Sequence, residues 1–311
     1  MLRAGGTVAF PTETVYGLGA NALDSTAVAK IFAAKGRPSN NPLIVHVANV
    51  TDARELACEW PELAERLAEK FWPGPLSLVV RKQRVVPDNV TAGGDTVAIR
   101  CPLHPVAAAI VKAAGVPIAA PSANLSNRIS ATTADHVELM LQGRIDLIVD
   151  GGSAWQGIES TVLDVTSDPP RILRLGPIGA AELELFIGRP VESAVSSASD
   201  EGALPSPGML TKHYAPTVPM ELVDNDRERV EALADEGRRV GWLAIGERLA
   251  TSSNVAAVFM PADATQYASV LYRALHELEA AGVDCIVARK PPANADWAAV
   301  IDRLTRAAAK E

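Results

Sequence analysis

The chain has 311 residues, 48% of them hydrophobic and 21% charged, with a formal net charge of -8 and a pI near 5.3. That length exceeds what one core usually serves, so two domains are expected. The acidic balance argues against a protein whose main business is coating nucleic acid, while leaving room for a local basic cleft. Three scattered cysteines, Cys58, Cys101 and Cys285, form no C-x-x-C pair. Neither a disulfide framework nor a structural zinc site is indicated, and a reduced, cytoplasmic compartment fits. The first ten residues are too short and Gly-rich for a signal-peptide core.

Taken in chain order, residues 7–11 read as a strand and 24–35 as a helix, with Asp24 or Ser25 as N-cap and Gly36 as its stop. Residues 42–47 read as a strand and 62–71 as an amphipathic helix ended by Trp72-Pro73-Gly74-Pro75. Residues 76–81 and 96–100 read as strands, 104–114 as a helix and 117–120 as a strand. The stretch 105–121 is the most apolar, but Lys112 and Pro117 interrupt it and it cannot span a bilayer. Segments 146–150, 161–166 and 171–175 complete the set, separated by turn residues rather than helices. A sheet with both parallel and antiparallel pairs, closed by helices, is implied.

Beyond Pro190 the composition changes, and 192–207 is rich in Ser, Ala, Gly and Asp, as a linker would be. A polar-aromatic stretch follows, Ser206-Pro207-Gly208-Met209-Leu210-Thr211-Lys212-His213-Tyr214-Ala215-Pro216. Strands over 220–223, 239–245, 255–259 and 285–288 then alternate with helices over 226–236, 267–281 and 297–309, which predicts a small parallel α/β domain.

The sequence lacks a G-x-x-x-x-G-K-[ST] loop, an H-E-x-x-H pair and a G-x-S-x-G elbow. Polar clusters instead sit at predicted strand ends, where α/β proteins build sites. Pro11 to Gly19 is a Gly-bounded turn holding two hydroxyls, a carboxylate and a phenol, suited either to a small polar substrate or to capping its own backbone. Lys35 stands in a last helical turn, where a cation complements the helix dipole. Arg37, set between Gly and Pro ahead of Asn40 and Asn41, suits phosphate oxygens. His46 follows on an apolar strand, a setting that more often makes a core histidine. Thr96 and Arg100 share a strand face. Pro121-Ser122-Ala123-Asn124 lets backbone approach a ligand, with Ser130, Thr132, Glu159-Ser160-Thr161 and Arg174 adding hydroxyls and charge. No nucleophile–base pair is among them, so the set suits phosphate and carboxylate binding with electrostatic catalysis.

These motifs carry a specific resemblance. Thr12-Glu13-Thr14-Val15-Tyr16-Gly17-Leu18, Lys35-x-Arg37-Pro38-x-x-Asn41-Pro42-Leu43, Pro121-Ser122-Ala123-Asn124 and Ser206-Pro207-Gly208-Met209…His213-Tyr214-Ala215-Pro216 occur in one order. Together they resemble the Sua5/YrdC family in its long form, over essentially the whole chain. The resemblance implies a YrdC-like twisted mixed sheet with a large concave cleft over 1–189, a linker or lid over 190–217, and a smaller Rossmann-like parallel α/β domain over 218–311. It implies a nucleotidyltransferase that makes threonylcarbamoyl-AMP and pyrophosphate from L-threonine, bicarbonate or CO2, and ATP with Mg²⁺. The product would feed t6A37 modification of tRNA through a downstream tRNA threonylcarbamoyl transferase.

By the same resemblance Thr14, His46, Arg100, Ala120 and Ser160 would contact L-threonine. Arg37, Asn41, Thr96, Ser122, Asn124, Ser130, Arg174, His213 and Tyr214 would contact ATP, with Lys35 and Arg37 as catalytic cations and no protein-bound metal. The sequence departs from the family pattern at Leu210 and Thr211, where basic and aromatic residues are usual, and at Asn127 and Ala131, where Gly and Pro are common. Two other readings share parts of this pattern. A carbamoyl transferase of hydrogenase maturation would need zinc-finger cysteines that three scattered residues do not supply. A module that binds double-stranded RNA on a basic surface is disfavoured by the net charge, which leaves at most weak RNA binding.

Overall fold

The computed structural model describes residues 1–193, 213–246 and 253–309. Linker positions 194–212, including Leu210 and Thr211, lie outside the described residues. Chain contacts divide the molecule into two units, one of residues 1–126 and 131–210, the other of 127–130 and 211–311. The catalytic domain expected over 1–189 therefore differs from the first unit in one short piece, since Asn127–Ser130 groups with the C-terminal residues.

In the first unit β1 (Val8–Pro11), β2 (Tyr16–Asn21), α1 (Ser25–Lys35), β3 (Ile44–His46), α2 (Val50–Glu55), α3 (Glu62–Phe71), β4 (Leu76–Arg81) and β5 (Thr96–Arg100) come first. They are followed by α4 (Pro105–Ala114), β6 (Ile118–Ala119), α5 (Ala134–Leu141), β7 (Leu147–Ile148), β8 (Thr161–Asp164), β9 (Arg171–Arg174), α6 (Ala180–Ile187) and β10 (Glu192–Ser193). The strands form a ten-stranded sheet in the order β10-β9-β8-β4-β5-β3-β6-β2-β1-β7. Both strand senses occur, β3 running parallel to β5 and β4 antiparallel to it, as the mixed pattern predicts.

Local signals explain where elements start and stop. Asp24 caps α1 by accepting from the backbone N–H groups of Thr26 and Ala27, and Gly36 ends it at φ 61°, a left-handed conformation that glycine adopts without a Cβ penalty. His104 caps α4, its Nδ1 accepting from the Val106 N–H. Residues 16–21 are a strand, not the turn expected from their glycines. A Cβ on Gly19 would lie 2.7 Å from both Ile118 and Phe10, so β2 needs glycine to lie against its neighbours. The short helices α2, α5 and α6 also fall in segments read as connections.

Side-chain alternation gives the sheet two different faces. Ala9, Val45, Leu76, Leu78, Val97, Ile99, Ala119 and Leu163 belong to the main core, together with residues of α1, α3, α5 and α6. On the other face, α4 packs its Ala107, Val111 and Ala114 over Val8, Phe10 and Ile118. Farther along that face lies a small apolar floor, one residue from each of five strands: Ile44, Val79, Ala98, Val162 and Leu173.

In the second unit β11 (Met220–Val223), α7 (Asp226–Asp235), β12 (Val240–Ile245), β13 (Val255–Met260), α8 (Ala264–Ala280), β14 (Cys285–Arg289) and α9 (Ala298–Ala307) follow one another. The four strands are all parallel, in the order β11-β14-β12-β13. This is the small parallel α/β domain that the alternation predicts. Among the described residues no helix is long and apolar enough to cross a membrane.

Gly176 tests how tightly the first unit is built. A Cβ there would meet Thr161 N at 2.3 Å and Glu159 O at 2.7 Å, both of them backbone atoms that cannot swing aside. Gly176→Ala is expected to cost about 1–3 kcal/mol, read as a fall in the thermal unfolding midpoint. An unchanged midpoint would contradict the packing described.

Candidate functional site

The apolar floor is ringed by polar side chains that share its face. Alternation places His46 beside Ile44, Ser77 beside Val79, and Thr96 and Arg100 on either side of Ala98. Register sets His46 directly opposite Arg100. The β1–β2 connection adds Thr12, Glu13 and Thr14, all buried.

Thr14 and Arg100 are joined by a directed chain of hydrogen bonds. Arg100 Nη1 donates to Thr14 Oγ1 at 3.0 Å. The Thr12 hydroxyl spends its single proton on Val15 O at 2.6 Å, so across the 2.8 Å contact between the two hydroxyls Thr14 must be the donor. Arg100 Nε donates to Gly74 O at 3.1 Å, and its Nη2 forms an ion pair with Glu13 Oε1 at 2.8 Å. Burial drives the nearby His46 imidazole down to about 3, with the Arg100 charge pushing the same way. His46 is therefore neutral at physiological pH and adds no charge beside the guanidinium.

A second group surrounds Lys35. Its ammonium donates to Ser122 O at 2.6 Å, to Asn124 O and to Asn124 Oδ1 at 3.3 Å. Burial pushes the amine well below its usual range, Arg37 adds to that and Glu159 opposes it. The three acceptors use all three ammonium protons and hold the charge in place. Lys35, expected to face phosphates, is here the tie that fixes the Ser122–Asn124 turn. The Ser122 hydroxyl donates to Asn124 Oδ1, and Asn124 Nδ2 donates to Leu125 O. The guanidinium of Arg37 is set by Asn41 O at 3.1 Å, Asn41 Oδ1 at 2.5 Å and Pro42 O at 2.8 Å.

Arg174 connects to Ser160. Its Nε donates to Ser160 O and its Nη2 to Ser160 Oγ, both at 3.0 Å, while Ser160 Oγ also meets Ser77 Oγ at 2.8 Å. The N–H of Ala120 is bound to Ile44 O. Thr14, His46, Arg100, Ala120, Ser160, Arg174, Lys35, Arg37, Asn41, Ser122, Asn124 and Thr96 all belong to the first unit. Ser130, His213 and Tyr214 belong to the second, where Ser130 O lies 3.2 Å from His276 Nε2. In that unit the Tyr214 ring stacks on Tyr272 at 5.7 Å and lies 4.8 Å below the Arg303 guanidinium.

Sequence reasoning passed over Ser77 and Gly74, the partners of Ser160 and Arg100. A serine in an otherwise apolar strand was the available signal for Ser77; a backbone carbonyl leaves none.

Among the described residues, Glu13 Oε2, Asn41 Nδ2 and His46 Nδ1 are buried here without a hydrogen-bond partner, and Arg100 Nη2 has an ion pair with Glu13 in place of a hydrogen bond. Each such orphan costs about 1–3 kcal/mol, and native proteins concentrate them where a ligand completes the set. Buried guanidinium groups, a neutral imidazole and orphaned polar atoms around an apolar floor define a binding protein for a small, polar, anionic ligand.

Comparison with known proteins makes the class specific. A Sua5/YciO/YrdC family model, described as "Telomere recombination", matches residues 1–176, and one described as "Threonylcarbamoyl-AMP synthase, C-terminal domain" matches 178–309. The threonylcarbamoyl-AMP synthase of Pyrococcus abyssi is 44% identical over 98% of this chain and 91% of its own length. That of Bacillus subtilis is 45% identical over 99% and 91%. The crystal structure of P. abyssi Sua5 complexed with L-threonine superposes with a TM-score of 0.90 at 43% identity, covering 99% of this chain and 92% of that one. The chain belongs to the Sua5 family of threonylcarbamoyl-AMP synthases, in the long form that carries the C-terminal domain.

His46 gives a pH test. An unfolded imidazole takes its proton near 6.5, the folded one near 3, so acid favours the unfolded chain between those values. Stability from this group is present above about pH 6.5 and is lost as pH falls toward 3. His46→Gln is expected to lose less stability than the wild type between about pH 7 and pH 4. Denaturant unfolding at both pH values measures this, and equal losses would contradict the buried, neutral assignment.

Proposed function

We propose that the chain condenses L-threonine, bicarbonate or CO2, and ATP into threonylcarbamoyl-AMP and pyrophosphate. The observation that carries the reading is the pairing of two differently built halves in the first unit. One half, Thr14, His46, Arg100 and Ser160, has the charge and hydrogen-bonding groups of an amino-acid site. The other, Lys35, Arg37, Asn41, Ser122 and Arg174, has the fixed cations and donors of a phosphate site. The whole-length kinship with threonylcarbamoyl-AMP synthases supports it.

The chemistry follows in two steps. Threonine's neutral amine adds to CO2, forming the N–C bond and losing a proton to give a carbamate. A carbamate oxygen then attacks the α-phosphorus of ATP, forming the P–O bond as the bond to pyrophosphate breaks. The displacement gathers negative charge on phosphate oxygens. Arg37, pre-oriented by Asn41 and Pro42, and Arg174, pre-oriented by Ser160, meet that charge without reorganising. Lys35 contributes a fixed positive field and holds the Ser122–Asn124 turn against the nucleotide. Ser160 bonds Arg174 directly, so both substrates share one rigid contact and are kept in line.

Among the described residues no three His, Cys, Asp or Glu side chains gather into a metal cage. Mg²⁺ would come with ATP rather than from a protein cage, and would supply neutralisation of charge on the leaving pyrophosphate. Thr96 and Asn124 complete the nucleotide side of the first unit in this reading. The mixed anhydride product hydrolyses readily, so a tRNA threonylcarbamoyl transferase in the same cytoplasmic compartment would consume it.

Pyrophosphate release from ATP should require both threonine and bicarbonate, and release independent of either would refute the assignment. Arg37→Ala should lower turnover by about 100-fold or more. Near-normal turnover would remove Arg37 from the site.

A further inference from the structure

Glu13 lies in the β1–β2 connection with no solvent exposure at its side chain, facing an Arg100 side chain that is only 4% exposed. The carboxylate is behind the guanidinium and does not reach solvent, so it is not placed to meet a substrate that enters from water. It nevertheless gathers contacts from two separate segments. Its Oε1 holds Arg100 Nη2 at 2.8 Å and accepts from the Leu103 N–H at 3.1 Å. Its backbone carbonyl accepts from the Gln156 N–H at 2.8 Å, in the segment that runs on to Ser160. Thr14 is its neighbour in the chain.

Burial would raise the Glu13 carboxyl. The Arg100 charge, the hydrogen bond from Arg100 and the Leu103 N–H together outweigh that and hold it below its usual range. The Glu13 carboxylate is therefore held in its charged form. Of the three groups that fix the guanidinium, Gly74 O and Thr14 Oγ1 are neutral dipoles and only Glu13 is charged. Attraction between two desolvated opposite charges exceeds that of either neutral dipole, so the ion pair with Glu13 is the strongest single pull on the direction of Arg100.

We propose that Glu13 is the positioning residue of the threonine half, aiming Arg100 at the substrate carboxylate and tying Thr14 and the Ser160 segment to it. The inference rests on the assignment of Arg100 to threonine. Two effects oppose each other when the Glu13 charge is removed. A lone guanidinium attracts a carboxylate more strongly, whereas a misaimed one loses its in-line contact. Misplacement by about 1 Å can cost 100-fold, so aim is expected to win.

The test uses the full-length enzyme and steady-state kinetics with each substrate varied in turn. Glu13→Gln keeps the shape and an acceptor for Leu103 but removes the charge. It should raise KM for threonine by about 10-fold or more while KM for ATP stays within about twofold. Glu13→Asp, which keeps the charge, should fall between Glu13→Gln and the wild type. In an Arg100→Met background Glu13→Gln should add no further increase, because its effect acts through Arg100. Thermal midpoints, read alongside, separate folding loss from this pattern, since unfolding lowers the active fraction and leaves both KM values alone.

An unchanged or lowered threonine KM in Glu13→Gln, with Arg100→Met raised, would overturn this inference alone. So would an equal further rise in the Arg100→Met background. An unchanged threonine KM in Arg100→Met would overturn the Arg100 assignment and this inference with it. Threonine-dependent pyrophosphate release would then show whether the reaction itself still stands.

Discussion

The Lys35 ammonium is the constraint on which the rest of the first unit's site depends. It is 2% exposed and sits at the end of α1, so its charge has to be met inside the protein or the helix end would not stay buried. Two backbone carbonyls and one amide oxygen from Ser122 and Asn124 meet it. The return contact, Ser126 N–H to Lys35 O, closes the knot from the other direction. One buried cation thus fixes the spacing between the Lys35–Arg37 segment and the turn after β6. Arg37 can then be aimed by its own local contacts to Asn41 and Pro42 without carrying structural load.

That division of labour extends across the sheet. The main core lies on one face and is large and apolar, so stability does not have to come from the face that carries the chemistry. On the other face, beyond the residues packed under α4, five apolar side chains form a floor. Lys35, Arg37, Arg100 and Arg174 are each aimed by neutral oxygens of the backbone, of amides or of hydroxyls. Arg100 also has a charged partner, in Glu13. Electrostatic preorganisation of this kind is strong because the groups are desolvated and already oriented before substrate arrives.

Much of this was legible in the sequence where a local physical rule decides it. Asp24 and Gly36 bracket α1, Pro73 and Gly74 follow α3, and β4 and β5 show the expected runs, so those bounds agree with the structure. The candidate residues were legible because hydroxyls, amides and cations cluster at strand ends. What stayed hidden depends on partners distant in sequence. β2 is a strand because Phe10 and Ile118 accept a glycine-bearing neighbour, and no window around Gly17 and Gly19 contains that information. Glu13 reads equally well as a loop cap until Arg100, 87 residues later in the chain, is seen to be its partner. The placement of Asn127–Ser130 with the second unit is likewise a tertiary outcome, fixed by such contacts as the Ala215 N–H to Asn127 O.

The second unit shows how a strained residue is kept in place. Tyr214 has φ +60°, a left-handed conformation that costs a non-glycine residue about 1–2 kcal/mol. Its ring is held by stacking on Tyr272, by the edge of His213 at 4.0 Å and by the Arg303 guanidinium above it. Aromatic pairs contribute about 0.5–1.5 kcal/mol, and a desolvated cation over a ring about 2 kcal/mol. These contacts are enough to offset the backbone strain. The left-handed backbone of Tyr214 is therefore tied to the packing of its ring. Arg303 is itself wholly buried, so the cation that faces the ring is desolvated and its hold on Tyr214 is strong.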